Sequence, residues 1–146
     1  MKDNRMKSPH ILLVDDSEGD ITLTLEAFEE CRVKTSISIA KNGQEAIDFL
    51  LKQGSFQNVK KPDLILMDIN MPILSGHEAL MKIKNDPKFK KIPVIMLTTS
   101  TNKKDVNTAF KNHCNSYIGK PMDINGFTEV VKNIEEFWFK LSTLST

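Results

Sequence analysis

The chain has 146 residues, 40% of them hydrophobic, enough for a single core of ordinary size and too few for several domains. Lys and Arg number 20 against 19 Asp and Glu, a formal net charge of +1, so no global basic field exists to hold nucleic acid or an anionic membrane. The longest apolar runs, such as Ile11–Val14 and Leu64–Met67, have four residues, against the roughly 18 of a membrane span; with no secretory apolar region at the N-terminus, a cytosolic (cytoplasmic) protein is expected. Cys31 and Cys114 lie far apart without a CxxC or a His at ligand spacing. That argues against a disulfide framework or zinc site and for small buried hydrophobes.

In chain order, His10–Val14 is an apolar run that predicts a first strand. Ser17, three before Asp20, signals a helix start, and Ile21, Leu25 and Phe28 form its apolar stripe. Residues 35–40 alternate, Ile37 and Ile39 against Ser36 and Ser38, as an edge strand does. Asn42 and Glu45 open a helix carrying Ala46, Ile47, Leu50 and Leu51, residues 63–67 are a third strand, and Ser75 and Glu78 open a helix with Ala79, Leu80 and Ile83. Residues 92–97 predict a fourth strand, Asn102 and Asp105 a helix with Val106, Ala109 and Phe110, and residues 116–118 a fifth strand. A last helix over about 124–141 carries Phe127, Val130, Val131, Ile134, Trp138 and Leu141 on one stripe. Five β-then-α units predict an α/β fold, a (βα)5 doubly wound five-stranded parallel sheet, because each parallel crossover needs a covering helix.

The informative residues are those that end the strands. Asp15 and Asp16 follow the first, Asp68 the third, Thr98 the fourth, and Lys120 closely follows the fifth. Ligands of open α/β sheets bind beyond the carboxyl ends of the strands, so these residues converge if strands one, three, four and five are neighbours. Like charges ~4 Å apart cost about 4 kcal/mol at an effective dielectric near 20, so converging carboxylates require cations. Lys120 supplies one, and oxygen-only ligands favour Mg²⁺, which retains waters and binds phosphate oxygens. Asp68 is then a nucleophile able to form an aspartyl phosphate, with Thr98 and Lys120 as donors to the phosphoryl oxygens. Taken singly, each element has an ordinary explanation: a solvated acidic helix start, a hydroxyl-rich loop over 98–101, and a surface lysine before Pro121. Their placement at separate strand ends is what points to a site.

The segments ILLVDDSEGD, DLILMDINMPILSG, IPVIMLTTS and SYIGKP, in this order, resemble the receiver domain of two-component response regulators over His10 to Trp138. The resemblance implies the flavodoxin-like strand order 2-1-3-4-5, with Asp68 as phosphoacceptor, Asp16 as a direct ligand of Mg²⁺ (or Mn²⁺) and Asp15 as an acidic partner holding metal water. Asn70 would give its backbone carbonyl to the metal. Thr98 and Lys120 would bind the phosphoryl group, Tyr117 would be the switch aromatic, and Pro121 would occupy the place of the family's cis-proline. A sensor histidine kinase or histidine phosphotransfer protein would be the donor. The connection over 54–62 and the segment from Asn133 to Trp138 are similar to single-domain regulators paired with bacterial and cyanobacterial phytochrome kinases, so a phytochrome-like kinase is the expected partner.

On this reading the charge gained by Asp68 draws in the Thr98 hydroxyl, and the vacated space admits Tyr117. The face of the fourth helix, fifth strand and fifth helix then repacks as a two-state shift. The chain is a phosphoacceptor switch that catalyses its own phosphoryl transfer, with slow dephosphorylation, rather than an enzyme in the metabolic sense. A phosphohydrolase of the haloacid dehalogenase type would need an acid two residues after Asp68, where Asn70 stands, and the glycines form neither GxGxxG nor GxxxxGK for a nucleotide.

The expected division is an N-terminal extension over 1–8, the receiver over 9–141 and a tail over 142–146, leaving no room for a DNA-binding effector and making protein contacts the output. The Lys-rich stretches at 88–91 and 103–104 are expected to be solvated, without nucleic acid or membrane partners. In the last helix Phe137 falls at the edge of the apolar stripe and Phe139 on the far side, which makes self-association through the fourth helix, fifth strand and fifth helix a homodimer expectation. His10, His77 and His113 are expected at the surface or at strand ends, and Met67, Met71, Met96 and Met122 as core filling near the site.

Overall fold

The computed structural model describes residues 8–140, with the side chains of residues 139 and 140 excepted. Five parallel strands, β1 (His10–Val14), β2 (Ser36–Ala40), β3 (Leu64–Met67), β4 (Val94–Thr98) and β5 (Ser116–Gly119), form one sheet in the order β2-β1-β3-β4-β5. Between and after them lie α1 (Glu18–Glu29), α2 (Gly43–Leu51), α3 (Gly76–Lys84), α4 (Lys103–Lys111) and α5 (Ile124–Ile134). Every residue of β1, β3 and β4 is buried, as the continuous apolar runs require of strands covered on both faces. The alternating β2 is only partly covered, and it holds one edge of the sheet as its pattern predicts.

The strands divide their side chains between two cores. Leu12, Val14, Ile65, Met67, Val94 and Met96 face α2 and α3, whereas Ile11, Leu13, Leu64, Leu66, Ile95 and Leu97 face α1 and α5. This period of two, repeated in three adjacent strands, sets a register in which Val14 pairs with Met67 and Met67 with Met96.

Helix entry is local chemistry. Ser17, Asn42, Ser75 and Asn102 each accept a hydrogen bond from the backbone N–H three residues on, and α3 has the complete reciprocal box with Glu78.

Three expectations need correction. Phe110 does not join the core: it is 49% exposed, and Ala109 alone is buried on α4, because Phe110 lies one 100° step beyond Ala109, outside the narrow strip of α4 that meets the sheet. Met122 is 98% exposed in the β5–α5 loop rather than core filling. The last helix is α-helical to Ile134 and then continues as a π-helical turn, Glu135–Lys140. There Glu135 is turned inward, where its carboxylate accepts from the Val33 N–H at 2.9 Å, and the wider winding accommodates that inward turn. Trp138 still packs on the α1–α5 core, Phe137 is exposed, and Leu141 and the Phe139 side chain lie outside the described residues.

Candidate functional site

Parallel pairing continues past the strand ends and aligns the polar residues. The backbone N–H of Asp15 donates to Ala40, that of Asp68 to Val14, and that of Lys120 to Thr98, at 3.0, 3.0 and 2.7 Å. These bonds fix Asp15, Asp68, Thr98 and Lys120 along the carboxyl edge of the sheet, at the crevice where β1 and β3 diverge toward opposite connections. Gly76 allows the β3–α3 loop to close over this edge: its N–H donates to Ile69, and a Cβ there would stand 2.0 Å from the Asp68 carbonyl oxygen.

Carboxylate oxygens of Asp15, Asp16 and Asp68 lie within 4.8 Å of one another. Asp15 and Asp68 are buried and Asp16 is exposed, so the cluster opens to solvent on one side. Lys120 runs beneath it with its side chain 3% exposed. Its Nζ lies 2.8 Å from Asp15 Oδ2 and donates to Asp20 Oδ2 at 2.8 Å and Asp68 Oδ2 at 2.9 Å. The other Asp68 oxygen accepts from the Ile69 N–H at 2.7 Å, and Asp15 Oδ1 accepts from the Ser17 N–H at 2.9 Å.

Burial is the largest influence on Asp15 and pushes its carboxyl above the usual range, against the pull of Lys120. Burial also opposes the charge of Lys120, yet bonds to three carboxylates override it and hold the ammonium above its ordinary value. Lys120 therefore stays charged throughout the neutral range, while the acids keep an excess of negative charge that one lysine does not neutralise. An all-oxygen cluster, half open to water, with that excess suits a hard divalent cation.

Asn70 lies two residues past Asp68, exposed in the β3–α3 loop. Thr98 is fully buried and its Oγ1 accepts from the Ser100 N–H. Tyr117, on β5, donates its hydroxyl to the Ser100 carbonyl, so Thr98 and Tyr117 meet through the same loop residue. Ser100 Oγ in turn donates to Asp105 on α4, and Asp105 Oδ1 pairs with His77 Nε2 of α3 at 3.1 Å. These bonds, the Ser100 hydroxyl first and His77 next, hold the Asp105 carboxyl below its usual range. The peptide bond before Pro121 is trans, contrary to the expectation of a cis-proline; X-Pro bonds favour trans by about 0.5–1 kcal/mol, and Lys120 reaches all three carboxylates from the trans arrangement.

Asp20 was not among the expected site residues. Its position three after Ser17 marks a capping partner, but Asp at that position is a weaker box residue than Glu, and here its carboxylate serves Lys120 instead. An aspartate where a box favours glutamate was the available signal.

A family model for the response regulator receiver domain matches residues 11–132. Response regulator Rcp1 of Synechocystis sp. is 38% identical over 144 residues, covering 99% of this chain and 98% of Rcp1. Among solved structures, the phosphorylated cyanobacterial phytochrome response regulator RcpA is similar with a TM-score of 0.86 and 39% identity, over 92% of this chain and 96% of that one. The Mn²⁺-bound form of Rcp1 gives a TM-score of 0.83 and 38% identity, over 90% and 95% of the two chains.

Proposed function

The chain belongs to the response regulator receiver family, and on that premise we propose that it accepts a phosphoryl group on Asp68 from a sensor histidine kinase or histidine phosphotransfer protein, in a reaction its own residues accelerate. A carboxylate oxygen of Asp68 attacks the phosphorus of a phosphohistidine. The new O–P bond forms as the P–N bond breaks, and the electron pair of that bond returns to the imidazole of the donor. The observation that carries this reading is the Lys120 ammonium 2.8 Å from Asp15 and 2.9 Å from Asp68 beneath a cluster of three carboxylates.

Asp15, Asp16 and Asp68, with the Asn70 carbonyl, would hold Mg²⁺ or Mn²⁺. When bound, the cation supplies charge that offsets the carboxylates and the incoming phosphoryl oxygens. The remaining work belongs to the chain. Lys120 presents positive charge to the phosphoryl oxygens, Ile69 N–H fixes the second Asp68 oxygen, and Thr98 is placed on the neighbouring strand to donate its hydroxyl. A shift of Thr98 toward Asp68 removes its bond to the Ser100 N–H and so disturbs the loop that also holds Tyr117 and Asp105. The change is thereby passed to the face formed by α4, β5 and α5, where signalling proceeds through protein contacts.

The relatives named for phytochrome regulation support a phytochrome-like kinase as donor, and exposed Phe110 and Phe137 support self-association on or beside the same face. No described helix is long and apolar enough to cross a membrane, in keeping with action in the cytoplasm. The test is transfer of labelled phosphoryl from candidate histidine kinases to the wild type and to Asp68→Asn. Label is expected on the wild type alone; equal labelling of the variant removes the assignment.

A further inference from the structure

Lys120 receives more than the proposed reaction requires. Asp15 and Asp68 are its neighbours within the carboxylate cluster, but Asp20 is outside the group whose oxygens lie within 4.8 Å of one another, and still accepts a 2.8 Å hydrogen bond from Nζ. We propose that Asp20 is a positioning residue for phosphoryl acceptance, holding the Lys120 ammonium against Asp68 from the first turn of α1; the inference rests on the phosphoacceptor reading.

The reason lies in what a lysine is. Its charge sits at the end of a flexible four-carbon stem, and fixing that stem costs rotamer entropy. One bond to Asp68 restrains the ammonium along one direction and leaves it free to swing about that contact. The Asp15 oxygen lies at ion-pair distance, yet it belongs, like Asp68, to the cation cluster. Once those carboxylates serve a cation and a phosphoryl group, Asp20 is the remaining partner devoted to Lys120.

The anchor itself is held. The Asp20 N–H donates to Ser17 Oγ at 3.3 Å, its carbonyl accepts from Thr24 Oγ1 at 2.7 Å, and Thr24 is buried. The Ser17 N–H is bonded in turn to Asp15. Helix α1 thus carries Asp20 on a backbone tied to the acid end of β1, and the Asp20 bond closes a bridge from α1 to the end of β5. At 30% exposure the Asp20 side chain is the most open of the three lysine partners, so its charge adds little desolvation cost to the buried acids.

The test is the rate of Asp68 phosphorylation by acetyl phosphate, with Mg²⁺ affinity measured separately. Asp20→Ala is expected to slow phosphorylation about tenfold at saturating Mg²⁺, the scale of one charge-assisted hydrogen bond, with the Mg²⁺ dissociation constant nearly unchanged. Asp20→Asn retains an oxygen within reach of Lys120 and is expected to recover most of the rate. In a Lys120→Ala background, removal of Asp20 is expected to have no further effect. A wild-type rate for Asp20→Ala overturns the inference, as does an equal slowing in the two backgrounds, which would mark a structural role. If the wild type itself takes no label on Asp68, the phosphoacceptor reading falls and the inference with it; normal wild-type labelling with an indifferent Asp20 removes the inference alone.

Discussion

Asp15 shows how one residue sets a conflict between stability and chemistry. Burial raises its carboxyl above its ordinary value of 3.8, so folding penalises its charged form. That penalty is in full force above the folded pKa and disappears as the pH falls below 3.8, the reverse of an ordinary salt-bridged aspartate. Lys120 is shifted upward and keeps its stabilising charge through neutral pH, losing it only in strong alkali. In metal-free buffer at neutral pH, Asp15→Asn is therefore expected to be as stable as the wild type or more so, by up to about 1–2 kcal/mol, while losing the rise in melting temperature that Mg²⁺ gives the wild type. Thermal melts with and without Mg²⁺ check both parts. Gly76 has the opposite character, since a methyl 2.0 Å from the Asp68 carbonyl cannot be accommodated without moving the end of β3. Gly76→Ala is expected to cost more than about 2 kcal/mol in denaturant unfolding and to impair labelling of Asp68 as well.

Elements carry the site's response. The β4–α4 loop is clasped from three sides by Thr98, Tyr117 and Asp105, with His77 of α3 behind Asp105. The Asp105 carboxyl is held low, so its stabilising contribution is present above the ordinary aspartate pKa and is lost as the pH falls through its depressed value. Asp105→Asn is expected to speed amide hydrogen exchange in the first turn of α4 while leaving α1 and α2 protected; unchanged exchange would show that the clasp bears no load. The strands and helix starts were legible in the sequence because their causes are local: period-two apolar runs, and caps three residues from their partners. The four strand ends converge by topology alone, so Asp15, Asp68, Thr98 and Lys120 could be named together once the helices between strands implied parallel pairing. Asp20 could not be, because its partner lies 100 residues away and the nearer capping role explained its position. Phe110 was misplaced because helical period says which residues share a face, not how much of that face a neighbour covers, and Met122 because nearness to a strand end in sequence does not say which way a loop residue points. Glu135, where the π turn begins, likewise finds its partner in Val33, 102 residues distant.

At the scale of the whole molecule, the balanced charge of +1 conceals a segregated one. Four carboxylates, Asp15, Asp16, Asp20 and Asp68, gather with Lys120 at the carboxyl edge of the sheet, and two separate cores hold that edge in register from either side. Large aromatic surface is left on α4 and beyond α5, where Phe110 and Phe137 are 49% and 57% exposed. If self-association uses these rings, sedimentation velocity of the beryllofluoride-treated protein is expected to show a dimer that Phe137→Ser weakens at least several-fold; monomers throughout would remove the homodimer from the account.

Whether this edge accepts a phosphoryl group on Asp68 is read by mapping the covalent adduct by mass spectrometry after incubation with acetyl phosphate. One hydroxylamine-labile phosphoryl group is expected on Asp68, formed with Mg²⁺ and absent with chelator. An unmodified chain, or an adduct on another residue that forms equally well in the presence of chelator, would contradict it.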